Sequence, residues 1–240
     1  MYLENLVVDA FDPQRLGRFW QEALGSETLT DDPGIFETRL AVADGPVLDL
    51  CFQRVSEPPV DPPRLVPAVA GGERRDAEVE RLLALGARRR ADGASEDVLT
   101  DPEGNPFRLA EEAASYAGTG PLAAVTLDSA DTDRDVAFWA WLTGWTEVPA
   151  LGPGTRTLRH PSGRGPALEL RPERNPQGAS KNRMHLDVRL EAGEVQDDAA
   201  DGIAARGGDV LRVDWGELPW RPYTDPSGNE FCVLPVSSGA

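Results

Sequence analysis

The sequence predicts an α+β protein of four strand–helix–three-strand (βαβββ) modules, arranged as two tandem copies of a module pair. Three observations predict it. Asp12-Pro-Gln-Arg-Leu-Gly-Arg-Phe19-Trp20 returns 119 residues later as Asp131-Thr-Asp-Arg-Asp-Val-Ala-Phe138-Trp139. Leu48-Asp49-Leu50 returns 120 residues later as Leu168-Glu169-Leu170. Asp101-Pro-Glu-Gly-Asn105-Pro-Phe107 returns 124 residues later as Asp225-Pro-Ser-Gly-Asn229-Glu-Phe231. Landmarks that keep their order while the offset drifts through loops mark a duplication. The halves are residues 1–115 and 119–240, with Gly118, Gly120 and Pro121 in the joining stretch.

Each element follows from local chemistry. Leu3 to Ala10 reads as a strand with Leu6 and Val8 on one face. Asp12 suits a helix N-cap and Pro13 the first helical position. Leu16, Phe19, Trp20 and Ala23 fall at helical spacing, so one face is buried, and Gly25 suits the helix stop. Strands are expected at 35–40 and 47–53. After a proline-rich loop, Pro58 to Pro63, come a strand at 64–69 and a helix at 75–85 ending at Gly86. Strands at 87–90, 96–99 and 106–110 complete the half. The Asp-Pro-x-Gly-Asn segment is a turn, since Pro fixes φ and Gly accepts positive φ. The second half reads alike.

Composition narrows the function classes. The chain has 240 residues with a formal net charge of −17, and 40 % of its residues are hydrophobic, enough for a core. The acidic balance argues against nucleic acid and anionic membrane surfaces, both of which need a basic face. No run approaches the roughly 20 apolar residues of a membrane span. The first 12 residues carry no secretory pattern, and Cys51 and Cys232 form no C-x-x-C pair, so a cytoplasmic protein without disulfides is expected. No G-x-G-x-x-G, P-loop, Ser-His-Asp ordering or zinc-type CxxC is present.

The Phe-Trp pair preceded by its capping Asp and followed by Gly25 or Gly144, then Arg183-Met-His185-Leu-Asp187-Val, then the Asp-Pro-x-Gly-Asn turn resemble the vicinal oxygen chelate superfamily in its tandem, glyoxalase-like form. This group includes glyoxalase I, bleomycin-resistance proteins and extradiol dioxygenases. The resemblance implies that paired βαβββ modules form cupped mixed sheets with flanking helices, and that ligand or metal sits in the cup. It places metal-ligand positions at Asn5, Asp49, Val66 and Arg108 in the first half, and at Ala124, Glu169, His185 and Cys232 in the second.

The first-half set reads as degenerate. Val66 cannot ligate, and Arg108 puts a cation where an ion would sit, with Asp49 as the charge it would neutralise instead. In the second half, strand alternation puts His185 with Asp187, Glu169 with Arg171, and Cys232 with Glu230 on the cup faces. His185 and Glu169 are the candidate catalytic pair, and with Cys232 the candidate metal ligands if an ion binds; no cofactor is otherwise expected, because Ala124 removes one ligand. Asp187, Arg171 and Cys232 are candidate ligand-binding residues. So are Trp215, Trp220 and Tyr223, in an aromatic insertion that the first half lacks. Hydrogen bonding to Glu169 or Asp187 in a polar cup explains His185 without a metal, Asp187 can pair with Arg171 or Arg189, Cys232 is more often a small buried filler than a ligand, and the Phe-Trp pairs are most simply core aromatics.

The expected function is a small-molecule-binding protein, holding an organic ligand such as a natural product or antibiotic in the cup of the second half. The alternative is a lyase, isomerase or dioxygenase of the superfamily, using His185 and Glu169 with a metal or for proton transfer. The chain is expected to act as its own pseudo-dimer or as a homodimer.

Overall fold

The structure is a computed structural model that describes residues 1–57, 61–72, 75–90, 98–110, 116–150, 152–174, 176–178, 180–213, 216 and 218–237. The first module comprises β1 (Tyr2–Ala10), α1 (Pro13–Leu24), β2 (Glu27–Asp32), β3 (Ile35–Ala41) and β4 (Val47–Arg54). The second comprises β5 (Leu65–Ala70), α2 (Arg75–Leu85), β6 (Arg88–Arg89), β7 (Val98–Thr100) and β8 (Pro106–Ala110). The third comprises β9 (Leu122–Ser129), α3 (Thr132–Thr143), β10 (Thr146–Val148), β11 (Arg156–Arg159) and β12 (Ala167–Pro172). The fourth comprises β13 (Met184–Arg189), α4 (Gln196–Ala205), β14 (Asp209–Val210), β15 (Arg221–Thr224) and β16 (Glu230–Leu234). The α+β class and the four modules are therefore as the sequence predicts.

The sheets do not follow the halves. One eight-stranded sheet runs β14-β15-β16-β13-β1-β4-β3-β2, and the other β10-β11-β12-β9-β5-β8-β7-β6. Module one thus pairs with module four through antiparallel β1 and β13, and module two with module three through antiparallel β5 and β9. Each half sends one module to each sheet. The expected cup built within residues 119–240 is therefore corrected: its two modules lie in different sheets. In this arrangement β1 and β5 are interior strands, each closed by a strand of the other half and not left as an open edge.

The helix signals act as read. Asp12 and Asp131 cap α1 and α3, each carboxylate accepting from a backbone N–H three residues on at 3.1 Å. Gly25 and Gly144 end these helices at φ +63° and +70°. Gly17 permits close approach of α1 to β3, since a Cβ there would collide with the Phe36 ring. β2, absent from the expected elements, is a polar edge strand, Glu-Thr-Leu-Thr-Asp-Asp, with no apolar alternation to reveal it. The expected strand at 96–99 begins only at Val98 among the described residues, and positions 58–60 of the proline-rich loop lie outside them.

One hydrophobic cluster spans all four modules. It takes Met184, Leu186 and Val188 from β13 and Leu168 and Leu170 from β12. Alternation then turns His185, Asp187 and Glu169 to the opposite, cupped faces. Among the described residues, no helix is long and apolar enough to cross a membrane.

Candidate functional site

The cup between modules one and four is built by four neighbouring strands. Register sets Asp49, Asn5, Asp187 and Cys232 side by side across β4, β1, β13 and β16. A second row holds Cys51, Val7 and His185. These residues, Asp49 excepted, line a cavity of about 560 Å³ with Ile35, Val55, Leu218, Trp220 and Leu234 among its apolar walls.

Its floor carries unsatisfied polar atoms. His185 and Asp187 are 8 % and 6 % exposed. Asn5 Nδ2 donates to Asp187 Oδ2 at 3.1 Å, while Asp187 Oδ1 and His185 Nδ1 are buried without a hydrogen-bond partner. His185 Nε2 lies 3.4 Å from Asp187 Oδ1, a distance that closes an ion pair only if the ring is protonated. One donor atom each of His185, Asp187 and Cys232 lie within 4.8 Å of one another. Burial, then Asp187, pushes the Cys232 thiol well above the usual range; burial, then Glu37, does the same to Cys51. Burial also raises Glu230, next to this row. Other charges are paired: Lys181 with Asp9 at 2.6 Å, and Arg189 with Glu4 at 2.6 Å.

In the cup between modules two and three, the polar side chains pair with one another. Glu169 is 4 % exposed and accepts from Tyr116 Oη at 2.6 Å, from Thr126 Oγ1 at 3.0 Å and from the Arg108 guanidinium, with which it pairs. Burial, then Glu169, pushes the Tyr116 phenol up to about 12. Around these side chains the sheet is lined by small residues, Ala68, Ala110, Ala124 and Ala167.

Several expectations are corrected by this geometry. Glu169 and His185 do not share a cup, because β12 and β13 belong to different sheets. Glu169 therefore joins neither the candidate catalytic pair nor a metal set with His185 and Cys232; Asp187 stands in its place. Arg108 neutralises Glu169, whereas Asp49 is held by Arg39 through two hydrogen bonds of 2.8 and 2.7 Å. Arg171, on Glu169's strand, pairs with Asp128 at 2.5 Å, away from the first cup. Tyr223 is 1 % exposed and stacks on Phe231, ring centroids 5.6 Å apart, so it belongs to the core and not to a ligand wall. Trp220 does line the first cup. Trp215 lies outside the described residues.

The residues that sequence reasoning missed are Val7, Cys51 and Glu37. Only the β1–β13 pairing brings them to His185, and that pairing leaves no local signal.

The implied metal can be tested against these donors. Of the eight positions implied by the resemblance, Asn5, Asp49, His185 and Cys232 fall in the first cup; both oxygens of Asp49 are taken by Arg39, and Asn5 Nδ2 donates to Asp187, so they do not form an oxygen- and imidazole-rich set. A smaller His-Asp-Cys set remains.

Comparison with known proteins agrees with the architecture. A glyoxalase-like domain family model matches residues 5–110 and again 124–234. The fold is similar to glyoxalase I from Zea mays, at TM-score 0.66 and 17 % identity over 98 % of this chain and 92 % of that one. It is also similar to a putative dioxygenase from Bacillus subtilis, at TM-score 0.61 and 17 % identity over 98 % and 85 %. No curated protein matches the chain. With both halves matched in sequence and the whole chain matched in fold, the protein belongs to the glyoxalase-like domain family.

Proposed function

We propose that this protein binds a small organic molecule in the cup shared by modules one and four. One observation carries the reading: two buried polar atoms, Asp187 Oδ1 and His185 Nδ1, stand without hydrogen-bond partners at the floor of a cavity with apolar walls. Buried polar groups are ordinarily paired, and leaving one unpaired costs about 1–3 kcal/mol. A ligand that lays its apolar body along Ile35, Leu218 and Trp220 and brings a hydroxyl or amine donor to Asp187, as the side chains at the floor shift to uncover Oδ1, relieves that cost. The cavity also falls in the range of about 300–1,000 Å³ common to small-molecule sites. The second cup supports the same choice by contrast, since Arg108, Glu169 and Tyr116 already satisfy one another there.

The test is a thermal-shift screen of chelator-treated protein against natural products and antibiotics. A ligand of the folded state raises the melting temperature with concentration. Donor-bearing, partly apolar compounds are expected to stabilise the protein; a broad screen without any saturable shift would count against binding.

A second reading is favoured by His185 beside Asp187. A carboxylate 3.4 Å from an imidazole can orient the ring as it takes up and gives back a proton, so the pair suits proton transfer in a lyase or isomerase reaction. Turnover that disappears in His185→Gln while ligand affinity persists would select this reading.

A further inference from the structure

We infer that Tyr116 is a built-in occupant of the second cup: the stretch joining the halves inserts its phenol where an external molecule would lie, and so keeps closed a site for a hydroxyl-bearing aromatic ring. The inference concerns the cup of modules two and three and does not depend on ligand binding in the first.

Three features point there. Tyr116 comes from the joining stretch and from neither sheet, yet its half-buried ring packs on the alanine floor of the cup. Ala167, Ala124 and Ala68 stand in register across β12, β9 and β5, and side chains of one carbon leave the depth that a ring fills. The phenol oxygen is bound as donor and acceptor at once. Tyr116 Oη donates to Glu169 Oε1 at 2.6 Å and accepts from Arg108 Nη2 at 3.4 Å. Glu169 does not need it, because Arg108 and Thr126 Oγ1 already donate to the same carboxylate. Thr157 lies opposite Glu169 on β11 and shares its face, and its Oγ1 is buried without a hydrogen-bond partner, a polar atom that Tyr116 leaves unsatisfied.

The stretch is shaped to present this ring. Gly118 and Gly120 take φ of +74° and +80°, and Thr119 Oγ1 donates to the Tyr116 carbonyl at 2.9 Å. Arg159 Nη2 holds the Ala117 carbonyl at 3.3 Å, which ties the stretch to β11. A tethered group competes at an effective concentration of about millimolar or above, so weakly held external rings are kept out while Tyr116 is in place. Removal of its side chain uncovers a carboxylate–guanidinium pair over an apolar floor. Such a site selects a hydroxyl, because an analogue without one leaves the polar groups short of a partner.

The experiment is a thermal-melt titration of the full chain carrying Tyr116→Ala with phenol and with toluene, which puts a methyl group of similar size in place of the hydroxyl. Phenol should raise the melting temperature of the variant saturably, by more than it raises that of wild-type protein, and should bind about 10-fold or more tightly than toluene. Adding Glu169→Gln to Tyr116→Ala should weaken phenol binding about 10-fold, and adding Asp187→Asn, in the first cup, should leave it unchanged. If Tyr116→Ala does not fold alone, phenol should restore its folding at concentrations where toluene does not. A variant, folded or not, on which phenol has no saturable effect overturns the inference, as does toluene acting as strongly as phenol. A phenol shift as large in wild-type protein, or one lost with Asp187→Asn and kept with Glu169→Gln, puts phenol in the first cup and overturns it too.

Discussion

The indole Nε1 of Trp139 donates to Oδ2 of Asp225 at 3.0 Å, joining the helix of module three to the last turn of module four. Trp20 and Asp101 repeat the link at 3.3 Å between modules one and two. The joined modules sit in different sheets, so each link ties the two sheets together behind their cups. The same carboxylates organise their turns: Asp225 Oδ1 accepts from the backbone N–H groups of Ser227 and Asn229 at 2.9 and 2.8 Å. Gly228 lies between them at φ +83°.

Trp139→Phe keeps most of the ring packing against Phe231 but leaves Asp225 one donor short. The expected loss is about 1–2 kcal/mol in urea unfolding. A loss below about 0.5 kcal/mol, the scatter of neutral surface changes, would show that the bond does not hold the sheets.

Asp225 should also make the fold respond to acid in an unusual direction. Burial, with Asp135 adding to it, pushes this carboxyl up to about 6 against the hydrogen bonds that favour its charge. A carboxyl raised in the folded state binds its proton there first, so its contribution rises as pH falls from about 6 toward 4 and is lost above 6. From this group alone, unfolding free energy at pH 5 should exceed that at pH 7.5 by about 1–1.5 kcal/mol. Asp101 is raised by burial in the same direction. Urea titrations at the two pH values check this, and Asp225→Asn should remove part of the difference. A wild-type fold that only weakens on acidification would speak against it.

A chain cut to residues 1–115 keeps β1 and β5 but loses β13 and β9, the strands paired with them. Light scattering is expected to show a dimer or aggregate, because two long central strands would otherwise become open edges. A stable, well-folded monomer would contradict the exchange of modules.

Glu169→Ala should destabilise the protein by about 2–4 kcal/mol, since it leaves Arg108 without its charge partner in a half-buried position. Glu169→Gln should cost less, because it keeps part of the hydrogen bonding. Both effects should appear in thermal melts without changing the affinity of compounds bound in the first cup.

Much of this molecule is written locally. Phe19-Trp20, the Asp12 cap, Gly25 and the Asp-Pro-x-Gly-Asn turns each carry their own signal, and strand alternation turns His185 and Asp187 away from the core, as found. Which modules share a sheet depends on partners more than 170 residues apart, such as Val7 and His185, and short-range pattern does not encode it. That is why Glu169 is expected beside His185 and found in the other sheet. Tyr223 misleads for another reason: an aromatic in a short polar segment looks like a pocket wall, but its register with Phe231 turns it to the core.

The central claim, that the cup of modules one and four is the binding site, is tested most directly by comparing ligand-induced melting shifts in two variants. Compounds that stabilise wild-type protein should lose their shift in Asp187→Asn and keep it in Glu169→Gln. Shifts kept in Asp187→Asn and lost in Glu169→Gln would move the site to the other cup and contradict the account.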